Sequence, residues 1–154
     1  MHDARAIDER VVVSRHIAAA REVVFRSWTD PVELMQWWGP DGFTCPEAEV
    51  DLRPGGAYRL VMRPPTGDPV VVSGTYREVV APSLLVYTWR WGDQAAVAEN
   101  ESLVTVEFRP TQAGTEVVVT HDRFPTGEET GPYSTGWDQG LDKLQALLEA
   151  PPGA

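Results

Sequence analysis

The sequence contains little cysteine, histidine or lysine, and it has no long hydrophobic run. Cys45 is the only cysteine, so no intrachain disulfide can form, and this predicts a reducing compartment such as the cytoplasm. The longest valine runs are three residues long, whereas a membrane-spanning helix needs about 20 apolar residues. Residues 1–10 are polar and charged, without the apolar segment of a signal peptide. We therefore expect a cytoplasmic protein with no membrane span and no leader.

Positive charge is also scarce. The chain has 13 Lys and Arg residues against 23 Asp and Glu residues, which gives a net charge of -10 at pH 7. Lys143 is the only lysine, and an arginine-rich and proline-rich composition of this kind is typical of a GC-rich bacterial genome. Proteins that bind nucleic acid or anionic membranes use Lys and Arg to contact phosphates. The charge therefore predicts that neither nucleic acid nor a membrane is a partner.

With few histidines and a single cysteine, the chain has few side chains that could ligate a metal or act as a catalytic nucleophile. His2, His16 and His121 are far apart in the sequence and show no metal-ligand spacing, so we expect no metal. No Ser/His/Asp or Cys/His arrangement and no nucleotide-binding glycine loop is visible, so we expect no cofactor. Cys45 lies between a threonine and a proline, where we expect a passive residue rather than a reactive thiol.

The 154 residues predict one domain over residues 10–150, with flexible termini at 1–9 and 151–154. Apolar residues recur with period two in strands and every three to four residues in helices. Asp30 and Pro31 are a suitable cap and first residue for a helix. The predicted order is a strand (10–17), two short helices (18–28, 31–38), six strands (47–53, 58–63, 70–80, 84–91, 102–109, 115–124) and a long amphipathic helix (133–149).

Such an order predicts an α+β protein in which helices cover one face of an antiparallel sheet. A long helix that lies across a curved sheet encloses volume, so a pocket is expected between the two.

A series of short motifs runs from about residue 11 to residue 149. It comprises Arg15-x-Ile17, Glu22-Val23-Val24-Phe25, Trp28-Thr29-Asp30-Pro31, Trp37-Trp38-Gly39-Pro40, Asp51-Leu52-Arg53-Pro54-Gly55-Gly56-x-Tyr58, Gly74-x-Tyr76-x-Glu78, Leu85-Val86-x-Thr88-Trp89, His121 and Gly136-Trp137. In this order the motifs resemble the SRPBCC superfamily, which includes START and birch-pollen-allergen-like proteins. Within it, the chain is similar to the group named after the C-terminal domain of the heat-shock protein 90 ATPase activator. The resemblance implies a helix-grip fold, in which a curved antiparallel sheet wraps around a long C-terminal helix and two short helices follow the first strand.

Strand alternation predicts which side chains face the long helix. Side chains alternate between the two faces of a strand, so residues next to outward-facing charged side chains face inward. By this rule Tyr58 and Met62, which alternate with arginines, and His121, which alternates with acidic residues on the last strand, face the helix. The predicted ligand cavity is lined by Trp28, Trp37, Trp38, Phe43, Tyr58, Met62, Tyr76, Trp89, His121, Trp137 and Leu141. Its polar groups would be His121, Tyr58 and Tyr76, in the apolar surroundings that small-molecule sites usually have. Alternatively, the same aromatic side chains fill a solid core.

Three features allow more than one interpretation. His121 is the one candidate catalytic residue, as a general acid or base, and the alternative is a buried structural histidine. Trp37 and Trp38 are adjacent at a helix end, so we expect one of them at a rim or in an exposed patch. The acidic segment 93–101 is interpreted as a solvated connection, with a gate over the cavity as the alternative.

These observations predict a cytoplasmic protein that binds a small hydrophobic or aromatic molecule. The resemblance implies two alternatives, namely an enzyme of the polyketide cyclase or aromatase type and a co-chaperone-like partner of heat-shock protein 90. The chain shows no counterpart of the separate N-terminal domain of the eukaryotic activators, which argues against ATPase stimulation. Homodimerisation through a sheet edge or the Trp37–Trp38 region is left open.

Overall fold

The computed structural model describes residues 10–92, 101–125 and 130–149. The predicted order of elements is confirmed. The elements are β1 (Val11–Ile17), α1 (Arg21–Thr29), α2 (Pro31–Trp37), β2 (Thr44–Val50), β3 (Ala57–Arg63), β4 (Val70–Val80), β5 (Leu84–Trp91), β6 (Ser102–Thr111), β7 (Gly114–Asp122) and α3 (Gly131–Glu149). The predicted flexible termini and residues 93–100 of the acidic segment, interpreted as a solvated connection or alternatively as a gate, lie outside the described residues.

The seven strands form one curved sheet in the order β1-β7-β6-β5-β4-β3-β2, and all neighbours are antiparallel. Helix α3 packs against the sheet through Trp137, Leu141 and Leu144, which are all buried. The α+β helix-grip fold is therefore confirmed. No helix in the described ranges is long and apolar enough to cross a membrane.

Several predicted boundaries were wrong by a few residues. Strand β2 begins at Thr44 and ends at Val50, three residues earlier at each end than predicted. Its pairing with β3 shifts between Thr44 and Glu47, because Pro46 has no amide hydrogen to donate at this sheet edge. The β6–β7 hairpin is tighter than predicted, since Pro110 pairs with Thr115 inside the sheet.

Helices α1 and α2 are separated by a single residue. The Asp30 carboxylate accepts hydrogen bonds from the backbone N–H groups of Val32, at 2.8 Å, and Glu33, at 3.4 Å. These two groups have no partner within the helix, so the cap fixes where α2 begins. The predicted cap at Asp30, with Pro31 as the first helical residue, is confirmed.

Two basic side chains fix α3 to the rest of the molecule. Arg15 of β1 donates to Asp138 and Asp142 of α3, each at 2.6 Å. Lys143 of α3 donates to the backbone carbonyls of Pro40 and Phe43, each at 3.2 Å. The first contact ties the helix to the sheet edge, and the second ties it to the loop that follows α2. This loop and α3 together form one side of the candidate site.

Candidate functional site

A cavity of about 450 Å³ lies between the first half of α3, the end of β5 and the segment that follows α2. Its volume is within the range of roughly 300–1,000 Å³ that is typical of small-molecule sites. The lining residues are Trp37, Trp38, Gly39, Pro40, Met62, Trp89, Trp91, Pro132, Tyr133, Gly136, Trp137 and Gly140. Trp91 and Pro132 are exposed to solvent, so the cavity opens where β5 and α3 meet the surface.

Tryptophan makes up most of the cavity wall. The indoles of Trp38, Trp89 and Trp137 contact one another, with centroid separations of 5.5 to 6.0 Å. Trp37 and Trp91 extend this group at its two ends. Among the described residues that line the cavity there is no Asp, Glu, Lys, Arg or His. Such walls fit a neutral, apolar guest, since a charged guest would lose its hydration without gaining a partner.

Glycines create the space on the helix side. Gly136 and Gly140 lie one turn apart on α3 and both line the cavity. A Cβ atom at Gly136 would meet Pro40 at 3.8 Å, which is ordinary van der Waals contact. Gly39 has φ +111°, and a Cβ there would lie 3.1 Å from Phe43, so the turn after α2 favours glycine. The helix therefore presents backbone where a larger residue would occupy the cavity.

A chain of buried hydrogen bonds lies behind the aromatic wall. The Trp137 indole N–H donates to Nδ1 of His121 at 3.1 Å. Since an indole nitrogen only donates, Nδ1 carries no hydrogen, and the neutral ring carries its hydrogen on Nε2. Nε2 therefore donates to the Ser102 hydroxyl at 2.7 Å, and Ser102 donates to the backbone carbonyl of Trp89 at 3.4 Å. This chain connects the indole of Trp137 to the backbone of Trp89.

His121 is fully buried, and this burial lowers its pKa to about 3. The cause is desolvation, because the charged imidazolium would lose its hydration among the rings of Trp89, Phe124 and Tyr133. The ring is consequently neutral near pH 7, and both of its nitrogens already have protein partners. Of the two interpretations of this residue, the geometry favours the structural one.

The interior beneath β3, β4 and β5 is packed. Tyr58, Tyr76 and Tyr87 contact one another with ring centroids 5.2 to 5.8 Å apart, and the space between them and their neighbours is about 10 Å³. Tyr58 donates to the carbonyl of Thr88 at 2.5 Å, and Trp28 donates to the Tyr87 hydroxyl at 3.2 Å. Burial raises the pKa of all three phenols well above their usual value. These side chains form a polar-tipped core rather than a cavity wall.

The predicted site residues thus fall into three groups. Those that line the cavity are Trp37, Trp38, Met62, Trp89 and Trp137. Those in the packed cluster are Trp28, Tyr58 and Tyr76. Those buried or half-buried elsewhere are Phe43 beside Gly39, His121 behind Trp137, and Leu141 in the core.

Several lining residues were absent from the predicted site. Trp91 lies two residues after Trp89 on the same face of β5, and Tyr133 lies one helical turn before Trp137, so their spacing could have indicated them. At the mouth, the Trp91 indole donates to the Tyr133 hydroxyl at 2.8 Å. The glycines of α3 carried no such signal, because the pattern of apolar residues does not reveal where a missing side chain leaves space.

We expected Trp37 or Trp38 at a rim or in an exposed patch, and the exposed patch is wrong, because both side chains are buried and line the cavity. Trp37 is 2% exposed and donates to the carbonyl of Ser27 at 2.9 Å, while Trp38 is 5% exposed. The chain leaves the helix at Trp38, where the backbone becomes extended. The two neighbouring indoles therefore leave the backbone in different directions and both reach the interior.

Cys45 is buried, and desolvation raises the pKa of its thiol to about 11. A protonated thiol is a poor nucleophile, in agreement with the expected passive role. In the described part of the chain, no three His, Cys, Asp or Glu side chains lie close enough together to hold a metal ion.

Solved structures of bacterial proteins resemble this chain over nearly its whole length. A protein from Chromobacterium violaceum is 28% identical, with a TM-score of 0.81, and the match covers 93% of this chain and 99% of that one. The AHSA1 protein from Silicibacter pomeroyi is 29% identical, with a TM-score of 0.72, and the match covers 91% and 97% of the two chains. A protein from Arthrobacter aurescens shares the fold at 22% identity, with a TM-score of 0.81 and coverage of 99% and 91%.

No curated protein matches the chain. The sequence model of the family described as "Activator of Hsp90 ATPase homolog 1-like protein" matches residues 18–149. This range begins before α1 and ends with α3, so it contains every residue that lines the cavity. The chain belongs to the Activator of Hsp90 ATPase homolog 1-like family, within the SRPBCC superfamily.

Proposed function

We propose that this protein binds a neutral small molecule, apolar or aromatic, in the cavity between β5 and α3, and that it does so in the cytoplasm. The observation that carries the proposal is a cavity of about 450 Å³ with tryptophan walls and no charged lining side chain among the described residues. Indole rings offer a guest large apolar surfaces and edge-to-face contacts.

The energetics of the cavity support an occupant. The cavity opens to the surface beside Trp91, so water fills it when no guest is bound. Water makes few hydrogen bonds to such walls, so a guest that displaces it gains free energy.

The glycine at position 136 offers a direct test. We expect wild-type protein to bind the neutral dye N-phenyl-1-naphthylamine with increased fluorescence, and Gly136→Leu to weaken the affinity at least tenfold. The reason is that the leucine side chain would occupy the cavity beyond Pro40. The measurement is a fluorescence titration, with native mass spectrometry of the purified protein to identify any retained molecule.

Ala146→Leu is the matched control. Ala146 is exposed on the same helix, so the same side chain is added away from the cavity, and the dye affinity should stay at the wild-type value. Absence of dye binding to the wild type, or equal binding by both variants, would refute the proposal.

The cyclase or aromatase alternative requires a group in the cavity that gives or takes protons. Tyr133 is the only described lining side chain with an ionisable group, and His121 lies behind the wall with both nitrogens occupied. The geometry therefore favours binding over catalysis. If the wild type converts a polyketide and a folded His121→Asn variant does not, catalysis would be favoured over binding.

Family membership supports a second candidate, a role as a partner of heat-shock protein 90. The described structure offers this role no dedicated feature, so we rank it below ligand binding. A pull-down at micromolar concentration and an ATPase assay with heat-shock protein 90 would test it, and size-exclusion chromatography would show whether the protein itself forms a homodimer.

A further inference from the structure

The six tryptophans differ in what their indole N–H groups do. Four of them donate a hydrogen bond inside the protein. The pairs are Trp28 with Tyr87, Trp37 with the Ser27 carbonyl, Trp91 with Tyr133, and Trp137 with His121. The nitrogens of Trp38 and Trp89 are buried and have no hydrogen-bond partner among the described residues. The two exceptions also have a shared location, because both side chains line the cavity and their ring centroids are 6.0 Å apart.

A buried donor without a partner is costly. Leaving such a group unpaired opposes folding, whereas phenylalanine would fill similar space without that cost. Trp38 and Trp89 are 5% and 7% exposed, so bulk water does not accept a hydrogen bond from their indole nitrogens. Two unpaired donors on neighbouring side chains that line one cavity are accounted for if the guest supplies the acceptor.

We infer that the ligand is a neutral aromatic molecule that carries a hydrogen-bond acceptor, such as a ketone or lactone carbonyl, and that the indole N–H groups of Trp38 and Trp89 donate hydrogen bonds to this acceptor. This inference rests on the proposed binding function and specifies the class of ligand. Because both nitrogens are buried, the two indoles must turn towards the cavity for the carbonyl of the guest to reach them. The apolar body of the guest then lies against Trp137, Gly136 and Gly140.

The lining chemistry selects against other classes. A carboxylate or an ammonium group would have no charged partner among the described lining residues. A pure hydrocarbon would fill the volume but leave both donors unpaired. A single uncharged acceptor satisfies the donors while the rest of the guest stays apolar.

A matched pair of probes tests the inference. 1-Tetralone and tetralin have the same bicyclic skeleton and differ by one carbonyl group. We expect tetralone to bind roughly fivefold more tightly, the ratio that one net hydrogen bond gives. In ¹H–¹⁵N correlation spectra, tetralone should shift the indole N–H signals of Trp38 and Trp89 downfield, and tetralin should not.

Single substitutions assign the indole N–H signals to individual tryptophans and show which of them cause the preference for tetralone. Trp38→Phe and Trp89→Phe each keep an aromatic ring and remove one N–H, so each should reduce the ratio of the two affinities. Trp28→Phe is the control, since Trp28 does not line the cavity and its N–H already donates to Tyr87, so the ratio should be retained.

The outcomes separate this inference from the proposed function. Equal affinities for the two probes, or tighter binding of tetralone with unshifted Trp38 and Trp89 signals, would overturn the inference and leave the binding function standing. Failure of both probes to bind at millimolar concentration would overturn both.

Discussion

At the scale of single residues, the buried His121 couples the stability of the fold to pH. Its pKa is about 3 in the folded chain and near 6.5 when the side chain is in water. Between these values the unfolded chain binds a proton that the folded chain does not, so stability falls as the pH drops from about 6.5 towards 3. The lost contribution is on the order of 4 kcal/mol over that range.

We expect this dependence to disappear when the imidazole is removed. In His121→Asn, the slope of the free energy of unfolding against pH between 4 and 6 should be smaller than in the wild type by close to one bound proton. Urea denaturation at a series of pH values measures the slope. His16→Asn serves as the control, because His16 is exposed and the slope should keep most of its wild-type value. Unchanged slopes in His121→Asn would contradict the assignment.

Alternation along β7 correctly put His121 inward, but its partners could not be read from the sequence. Ser102 lies on β6 and Trp137 on α3, which are 19 and 16 residues away. The neutral state of the ring follows from its burial, which the packing of these three elements produces.

At the scale of elements, Arg15 joins strand β1 to helix α3. Its side chain is 18% exposed and forms ion pairs with Asp138 and Asp142, which lie one turn apart on the helix. Without the arginine, the two carboxylates would repel each other across that turn. The forked pairing therefore neutralises a local repulsion as well as joining two elements.

Replacing Arg15 by methionine should lower the free energy of unfolding by about 1–2 kcal/mol, which exceeds the usual contribution of a surface pair because the guanidinium is largely shielded and multiply bonded. Arg53→Met is the matched control. Its side chain is 68% exposed and pairs with Asp51 two residues away, so a change within about 0.5 kcal/mol is expected. Urea denaturation of the two variants distinguishes these values, and equal losses would show that the link to α3 contributes nothing specific.

The pattern of α3 illustrates how far an element can be predicted. The spacing of Trp137, Leu141 and Leu144 correctly predicted which face is buried. The same pattern did not predict the cavity wall, because Gly136 and Gly140 act through the side chains they lack. Whether such a gap is filled depends on the loop after α2, which Lys143 holds against the helix.

At the scale of the whole molecule, a net charge of -10 determines which large partners are favoured. We expect no binding to double-stranded DNA or to phosphatidylglycerol vesicles at 50 mM salt, since both surfaces are anionic and low salt leaves their repulsion largely unscreened. Mobility-shift and vesicle sedimentation assays measure this. Retention on either surface would contradict the prediction and point to a local basic patch.

The sequence by itself determined the order of elements, an α+β layout and the inward faces of the strands, because hydrophobic periodicity and turn residues act locally, and the helix-grip architecture was implied by the resemblance of its motifs to a known family. Only the tertiary structure decided which aromatic residues belong to the packed core and which to the cavity wall. Trp28, Tyr58 and Tyr76 surround almost no free space, whereas Trp89 borders the cavity and Trp38 lies between the two regions and borders both. Whether a side chain fills space or borders it depends on the distance between elements that are far apart in the chain, and the alternation of residues within one strand carries no information about that distance.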